Sequence, residues 1–214
     1  MFLNYPNNPT GACASVEFMR EASEFAREND LALCHDAAYI QTVLDGPPHP
    51  SLLASSGDLR NVIEFFSFSK SFNMAGWRVG FAAGDADLIS ALGAVKTNLD
   101  SGVFVPVQVA AAHAMSQCGD FTKSLNAVYR ERRDLLVEAL ESAGLSPFRS
   151  RATFYVWTRV PDGASSVAFA ESLLDEYGML VAPGVAFGEH GEGFVRFSLT
   201  LPTERIEEAS ERLK

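Results

Sequence analysis

Cysteine is scarce. Cys13, Cys34 and Cys118 are too few and too scattered for a disulfide framework or a metal cluster, and they fit core thiols in a reducing compartment. The four histidines, His35, His49, His113 and His190, show no metal-ligand spacing. No apolar run approaches the ~20 residues needed to span a bilayer, and the opening MFLNYPNNPTGA lacks a basic region followed by an apolar stretch. Positive charge is in the minority: 17 Lys and Arg against 27 Asp and Glu leave a net charge of −10, which argues against a nucleic-acid or anionic-membrane partner. These absences predict a cytoplasmic protein without a metal site, in which a small acidic ligand would need local arginines.

What the chain does have is apolar substance, 47% of its 214 residues, enough for one large core or two small ones. Residues 2–5 read as a strand stopped by Pro6-Asn7-Asn8-Pro9-Thr10-Gly11, and residues 15–28 as a helix capped by Ser15. A strand over 31–35 ends at Asp36 with Tyr39 three residues on, and the proline-rich 44–58 reads as a surface loop. The strand 62–68 follows, then a polar turn carrying Lys70 and a second short strand over 79–83. Helices are predicted over 85–95, 106–117 and 121–143, with an irregular stretch at 97–105. Beyond Pro147 the order becomes strand 153–160, helix 165–177, strands 179–182 and 194–201, and a last helix from Thr203. Residues 188–193, GEHGEG, read as a flexible surface turn.

In an open α/β sheet, ligands collect at the carboxyl ends of the strands. Those ends carry Asn8, Asp36 with Tyr39, and Ser67, Ser69 and Lys70, with Arg78 eight residues beyond the lysine. A lysine among hydroxyls and beside an arginine suits an amine that forms a Schiff base next to a bound phosphate. A carboxylate can keep a pyridine nitrogen protonated, an asparagine amide and a tyrosine phenol can donate to a ring oxygen, and arginine meets phosphate or carboxylate with two parallel hydrogen bonds. Arg196, isolated in an apolar strand, calls for an anion. Residue by residue, plainer readings stand beside these: Lys70 as a surface turn lysine, Asp36 as a cap, Asn8 as a turn asparagine, Tyr39 as a half-buried tyrosine, Arg78 and Arg196 as structural ion pairs. Ser67-Phe68-Ser69-Lys70 also fits S-x-x-K, but the partner motifs S-D-N and K-T-G are absent.

Taken together, Asn8-Pro9-Thr10-Gly11, Asp36-Ala37-Ala38-Tyr39, Ser67-Phe68-Ser69-Lys70 with Arg78-Val79-Gly80, and Arg196 resemble, in order, the four signature sites of the class I/II aminotransferases of fold-type I. Within that family NYPNNPTGA, FNMAGWRVGFAAG, NLDSGVF and FGEHGEGFVRFSLT look most like the LL-diaminopimelate aminotransferases of lysine biosynthesis. The resemblance implies pyridoxal 5'-phosphate as cofactor and transfer of an amino group between an amino acid and a 2-oxo acid. It implies Lys70 as Schiff-base lysine and general base, Asp36 on the pyridine nitrogen, Asn8 and Tyr39 on the ring oxygen, Ser67, Ser69 and Arg78 on the phosphate, and Arg196, with Asn8, at the substrate.

The implied fold is α/β: part of a three-layer αβα large domain over residues 1–120, a connecting long helix over 121–147, and a small α+β domain over 148–214. In the family a long segment precedes the Asn-Pro-Thr-Gly motif, so the resemblance implies a chain that starts two strands late, lacking a phosphate-cradling helix start and much of substrate selection. It also implies a homodimer for the full-length family, with residues 97–105 reaching the neighbouring subunit's site. Two alternatives remain beside the aminotransferase: a β-lyase on the same cofactor, and a catalytically incomplete remnant acting only by association.

Overall fold

The computed structural model describes residues 1–213. The chain folds as two compact units, one made of Met1–Pro6 with Cys13–Ser124, the other of Asn7–Ala12 with Leu125 onward.

The first unit is built on a four-stranded sheet of β1 (Phe2–Asn4), β2 (Leu33–Asp36), β3 (Val62–Ser67) and β4 (Gly80–Gly84), in that spatial order. The first three strands run parallel, and β4 returns antiparallel to β3. Helix α1 (Val16–Glu28) starts where the Ser15 side chain accepts from the Phe18 amide, and it buries Met19 and Ala26. These pack with Leu33, Leu52 and Val62 into one core. Helix α2 (Leu52–Ser56) lies inside the stretch expected to be a loop. Its prolines stop short of Ser51, which caps the turn, while Leu52 is fully buried. After β3 come the single turn α3 (Phe68–Ser71), a 3₁₀ turn over Ala75–Trp77, and then β4, α4 (Ala86–Leu99) and α5 (Val105–Gln117). Helix α4 runs on through residues expected to be irregular, and it buries none of its side chains within this unit.

Helix α6 (Gly119–Ser142) opens in the first unit and continues in the second. There a buried stripe of Tyr129, Arg133, Leu136, Val137 and Leu140 recurs at helical spacing. The sheet of this unit runs β5 (Ser146–Pro147), β6 (Tyr155–Arg159), β8 (Phe194–Ser198), β7 (Ala182–Pro183), all antiparallel. Val156, Val195, Phe197 and Leu199 are buried with it. Helix α7 (Ser166–Tyr177) is capped by Ser165 and stopped by left-handed Gly178, and α8 (Thr203–Arg212) closes the chain.

The strand expected over 179–182 is cut to Ala182–Pro183. The glycine-rich stretch 188–193, expected to be a flexible turn, contains the 3₁₀ turn Glu189–Gly191, and another 3₁₀ turn, Gly184–Phe187, precedes it. The backbones of Gly184 and Gly191 are packed so closely that a Cβ on either would lie within 2.0 Å of the other's carbonyl oxygen. Close approach, rather than flexibility, is what these two glycines serve.

Candidate functional site

In the first unit the predicted residues gather where β2 and β3 end. Asp36 is the last residue of β2. Its exposed carboxylate accepts the Ala38 amide at 3.0 Å, and its carbonyl accepts from Asn4 Nδ2 at 3.0 Å, so side chain and main chain are both held. The turn that follows brings Tyr39 back into the protein, 5% exposed. On the next strand, Ser67 ends β3 and its hydroxyl accepts the Ser69 amide at 3.2 Å, which starts α3.

Lys70 therefore sits on a helical turn rather than in a loose loop. Phe68 anchors the turn below, packed with Met74, Ala111 and Ala114, and Thr122 Oγ1 donates to the Ser71 carbonyl at 3.0 Å just after the lysine. Half-buried, Lys70 reaches over the Tyr39 ring with its Nζ 5.8 Å from the ring centre, within range of a cation–π contact. Arg78 is exposed and left-handed, φ +52°, and its Nη1 donates to the Ala75 carbonyl at 3.0 Å. The Phe68 amide donates to Val79 O at 3.3 Å, which ties the arginine's neighbour to the start of the lysine turn.

The second unit brings together the other two predicted residues. The loop Asn7–Ala12 closes on itself: the Asn7 amide donates to Ala12 O at 2.9 Å, Gly11 N to Asn7 O at 2.8 Å, and the Thr10 hydroxyl to Asn7 Oδ1 at 2.7 Å. From this loop Asn8 Oδ1 accepts Arg196 Nη1 at 2.7 Å, across 188 positions of sequence. The guanidinium is sandwiched, its carbon 4.0 Å from the Tyr155 ring centre and 4.6 Å from that of Phe187. Its Nε is fully buried with no hydrogen-bond partner, an unmet donor of the kind a bound anion satisfies. A cavity of about 370 Å³ in this unit is lined by Leu136, Met179, Phe197 and Ile206, among others, and includes neither Asn8 nor Arg196.

Tyr155 and Phe187 escape a reading of the sequence. The only signal for Tyr155 is strand alternation. In the β6–β8 register Trp157 lies opposite Arg196, which puts Tyr155 on the same face one diagonal away, but that register is fixed by pairing across the sheet and not by local sequence.

An amine, a carboxylate, two serines and a guanidinium at the ends of adjacent strands have the chemistry to hold a phosphorylated heteroaromatic aldehyde. In its own unit, an arginine with a spare donor has the chemistry to hold a carboxylate. These residues define a lysine-centred site at the strand ends of an α/β unit. A family model described as aminotransferase class I and II matches residues 1–213, and the chain belongs to that family, which depends in general on pyridoxal phosphate.

An LL-diaminopimelate aminotransferase of Desulforudis audaxviator is 51% identical over 214 residues, covering 100% of this chain and 55% of that protein. One of Moorella thermoacetica is 48% identical with the same coverage. Among solved structures, substrate-bound BacF from Bacillus subtilis superposes with a TM-score of 0.93 at 38% identity, covering 100% of this chain and 55% of that one. A probable N-succinyldiaminopimelate aminotransferase from Thermus thermophilus gives 0.92 at 40%, covering 99% and 57%. The chain spans about half the length of the curated relatives it matches.

Proposed function

We propose that this chain carries the lysine, carboxylate and arginine machinery of a pyridoxal-phosphate-dependent aminotransferase that moves an amino group between an amino acid, with LL-diaminopimelate the favoured donor, and a 2-oxo acid. The observation that carries the reading is the placement of Lys70 on an anchored turn after β3, with Nζ 5.8 Å from the ring of Tyr39, which follows Asp36 at the end of β2. The 51% identity to a curated LL-diaminopimelate aminotransferase supports the choice of donor.

When bound, pyridoxal phosphate supplies an aldehyde for amine exchange and a ring that withdraws electrons from the reacting carbon. The chain's part is positioning and proton transfer. Lys70 would hold the cofactor through its amine, and its Nζ would take and return the proton of the substrate's α-carbon. The Asp36 carboxylate holds a proton on the ring nitrogen, and Tyr39 donates to the ring oxygen. Asn8 already accepts through Oδ1, so its donor role toward the ring falls to Nδ2. Ser67, Ser69 and Arg78 bind the phosphate, the arginine as a charged fork. Arg196, flanked by two rings, orients the substrate α-carboxylate.

We further infer a cytoplasmic homodimer. Aminotransferases are generally dimeric, and the strongly exposed Leu99, Phe104 and Val105 of the α4–α5 region favour burial against further polypeptide. Among the described residues no helix is long and apolar enough to cross a membrane.

The test is a single turnover. Protein loaded with pyridoxal phosphate is mixed with LL-diaminopimelate, and the 2-oxo product is followed by mass spectrometry. Product from the wild type and none from Lys70→Ala supports the reading; product unaffected by that substitution removes Lys70 from it.

A further inference from the structure

Directly behind Asp36, on the opposite face of β2, His35 is completely buried, and so is its register partner on β3, Glu64. The two side chains meet at 2.8 Å between His35 Nδ1 and Glu64 Oε1. The other ring nitrogen, Nε2, lies 2.9 Å from the carbonyl of Tyr5, the residue after β1's Asn4. A carbonyl can only accept, so Nε2 carries a proton. Glu64 in turn accepts from the Leu52 amide at 3.0 Å, the Ser51 hydroxyl at 2.5 Å and the Leu53 amide at 3.4 Å, a set of donors that calls for an ionised carboxylate. Facing that carboxylate, Nδ1 donates as well. The other titratable ring nearby is His49, 6.4 Å from His35 between ring centres, with its own partners in the Ala14 amide and the Pro50 carbonyl.

We propose that His35 and Glu64 are positioning residues, a buried charged clasp that ties the carboxyl ends of β1 and β2 to the amino-terminal half of β3 and thereby fixes the main chain that presents Asp36. The inference rests on the reading of Asp36 as the partner of the cofactor ring. Stability alone gives little reason for the pair, because well-packed apolar side chains in place of a buried ion pair are often neutral or stabilising. Direction is what the pair adds. Its five hydrogen bonds join the end of β1, β2, β3 and the first turn of α2 in a single arrangement, whereas apolar contacts would allow a strand end to shift. Asp36 is then held from two sides, by His35 next to it in sequence and by Asn4 bonded to its carbonyl at 3.0 Å.

The test uses the full chain and the double variant His35→Leu/Glu64→Leu, with Glu64→Gln as the shape-preserving second variant. Amide hydrogen exchange is read at Ala37, whose N–H donates to Phe65 O at 2.9 Å, and at Ala38, bonded to the Asp36 carboxylate. We expect exchange at these two amides to accelerate about tenfold or more, and pyridoxal phosphate to bind about tenfold more weakly. Exchange at wild-type rates in a folded double variant overturns the proposal. If the double variant does not fold, Glu64→Gln decides: acceleration confined to Ala37 and Ala38 supports the clasp, and acceleration spread evenly through the first unit overturns it. Borohydride trapping of pyridoxal phosphate on Lys70 of the wild type reports separately on the cofactor reading. Faster exchange at Ala37 without a trapped cofactor supports the clasp and sinks the cofactor role of Asp36.

Discussion

Gly11 closes the loop that presents Asn8 to Arg196, and its replacement by alanine should cost more than any other single methyl added to that loop. Two physical costs coincide there. The backbone is left-handed, φ +71°, a conformation that costs an L-residue about 1–2 kcal/mol. The new Cβ would also lie 2.4 Å from Ser150 Cβ and 3.1 Å from Ala152 O, both too close to keep. Ser150 cannot easily retreat: it is buried, its hydroxyl donates to Tyr155 O at 2.9 Å, and its carbonyl accepts from Arg133 Nη1 at 2.8 Å. Overpacking of this kind typically costs about 1–3 kcal/mol. The expected loss for Gly11→Ala is therefore about 2–5 kcal/mol, a large part of the roughly 5–15 kcal/mol that holds a domain together.

The assay is urea unfolding in a Trp77→Phe background. Trp77 is 51% exposed and belongs to the first unit, so its removal leaves the buried Trp157 to report on the second. Adding Ser150→Gly should return part of the loss by removing the clash, giving a coupling of about 1–3 kcal/mol in a double-mutant cycle. A Gly11→Ala protein within about 0.5 kcal/mol of wild type, or a purely additive double variant, would refute the steric argument.

Three further outcomes follow from the site. Arg196→Lys should weaken binding of amino-acid carboxylates about 10–100-fold by titration, because an ammonium cannot lie flat between Tyr155 and Phe187 and also keep the bond to Asn8; unchanged affinity would remove the sandwich from recognition. Arg78→Leu should raise the dissociation constant for pyridoxal phosphate by about 10–100-fold while leaving that for pyridoxal nearly unchanged, and equal losses for both would take Arg78 off the phosphate. Burial alone would raise the Glu64 carboxyl, but His35, the Ser51 hydroxyl and the Leu52 amide outweigh it and hold the group below its ordinary 4.5. Such a group stabilises the fold above its unfolded value, and that contribution is lost as pH falls through the folded one. The urea midpoint of the wild type should therefore drop below about pH 4.5 more steeply than that of Glu64→Gln, and identical acid limbs would contradict the assignment.

The local features are legible in the sequence. Ser15 announces α1, short apolar runs announce β2 and β3, and the placement of Asp36, Tyr39 and Lys70 at strand ends follows from simple order. What cannot be read depends on partners far along the chain. Helix α2 is hidden behind Pro47, Pro48 and Pro50, because its support is the Glu64 carboxylate from the next strand. His35 offers no metal spacing and so no local signal. Its actual partner is 29 residues away and becomes a neighbour only through the parallel register of β2 and β3. The membership of Asn7–Ala12 in the second unit, and with it the Asn8–Arg196 bond, depends on tertiary placement that a turn signal cannot carry. Lys70 reads as a turn residue and lies in α3 because the Ser67 hydroxyl caps that turn, a detail visible in Ser-Phe-Ser-Lys only in retrospect.

The central claim is that Lys70 is the amine to which the cofactor attaches, and one measurement addresses it directly. The purified chain is mixed with pyridoxal phosphate, its absorbance is recorded, and the mixture is reduced with borohydride before peptide mapping by mass spectrometry. The account predicts a new absorbance band and a phosphopyridoxyl group on Lys70 alone, with both lost in Lys70→Ala. Labels scattered over exposed lysines such as Lys96 and Lys123, or a band that survives Lys70→Ala, would contradict it.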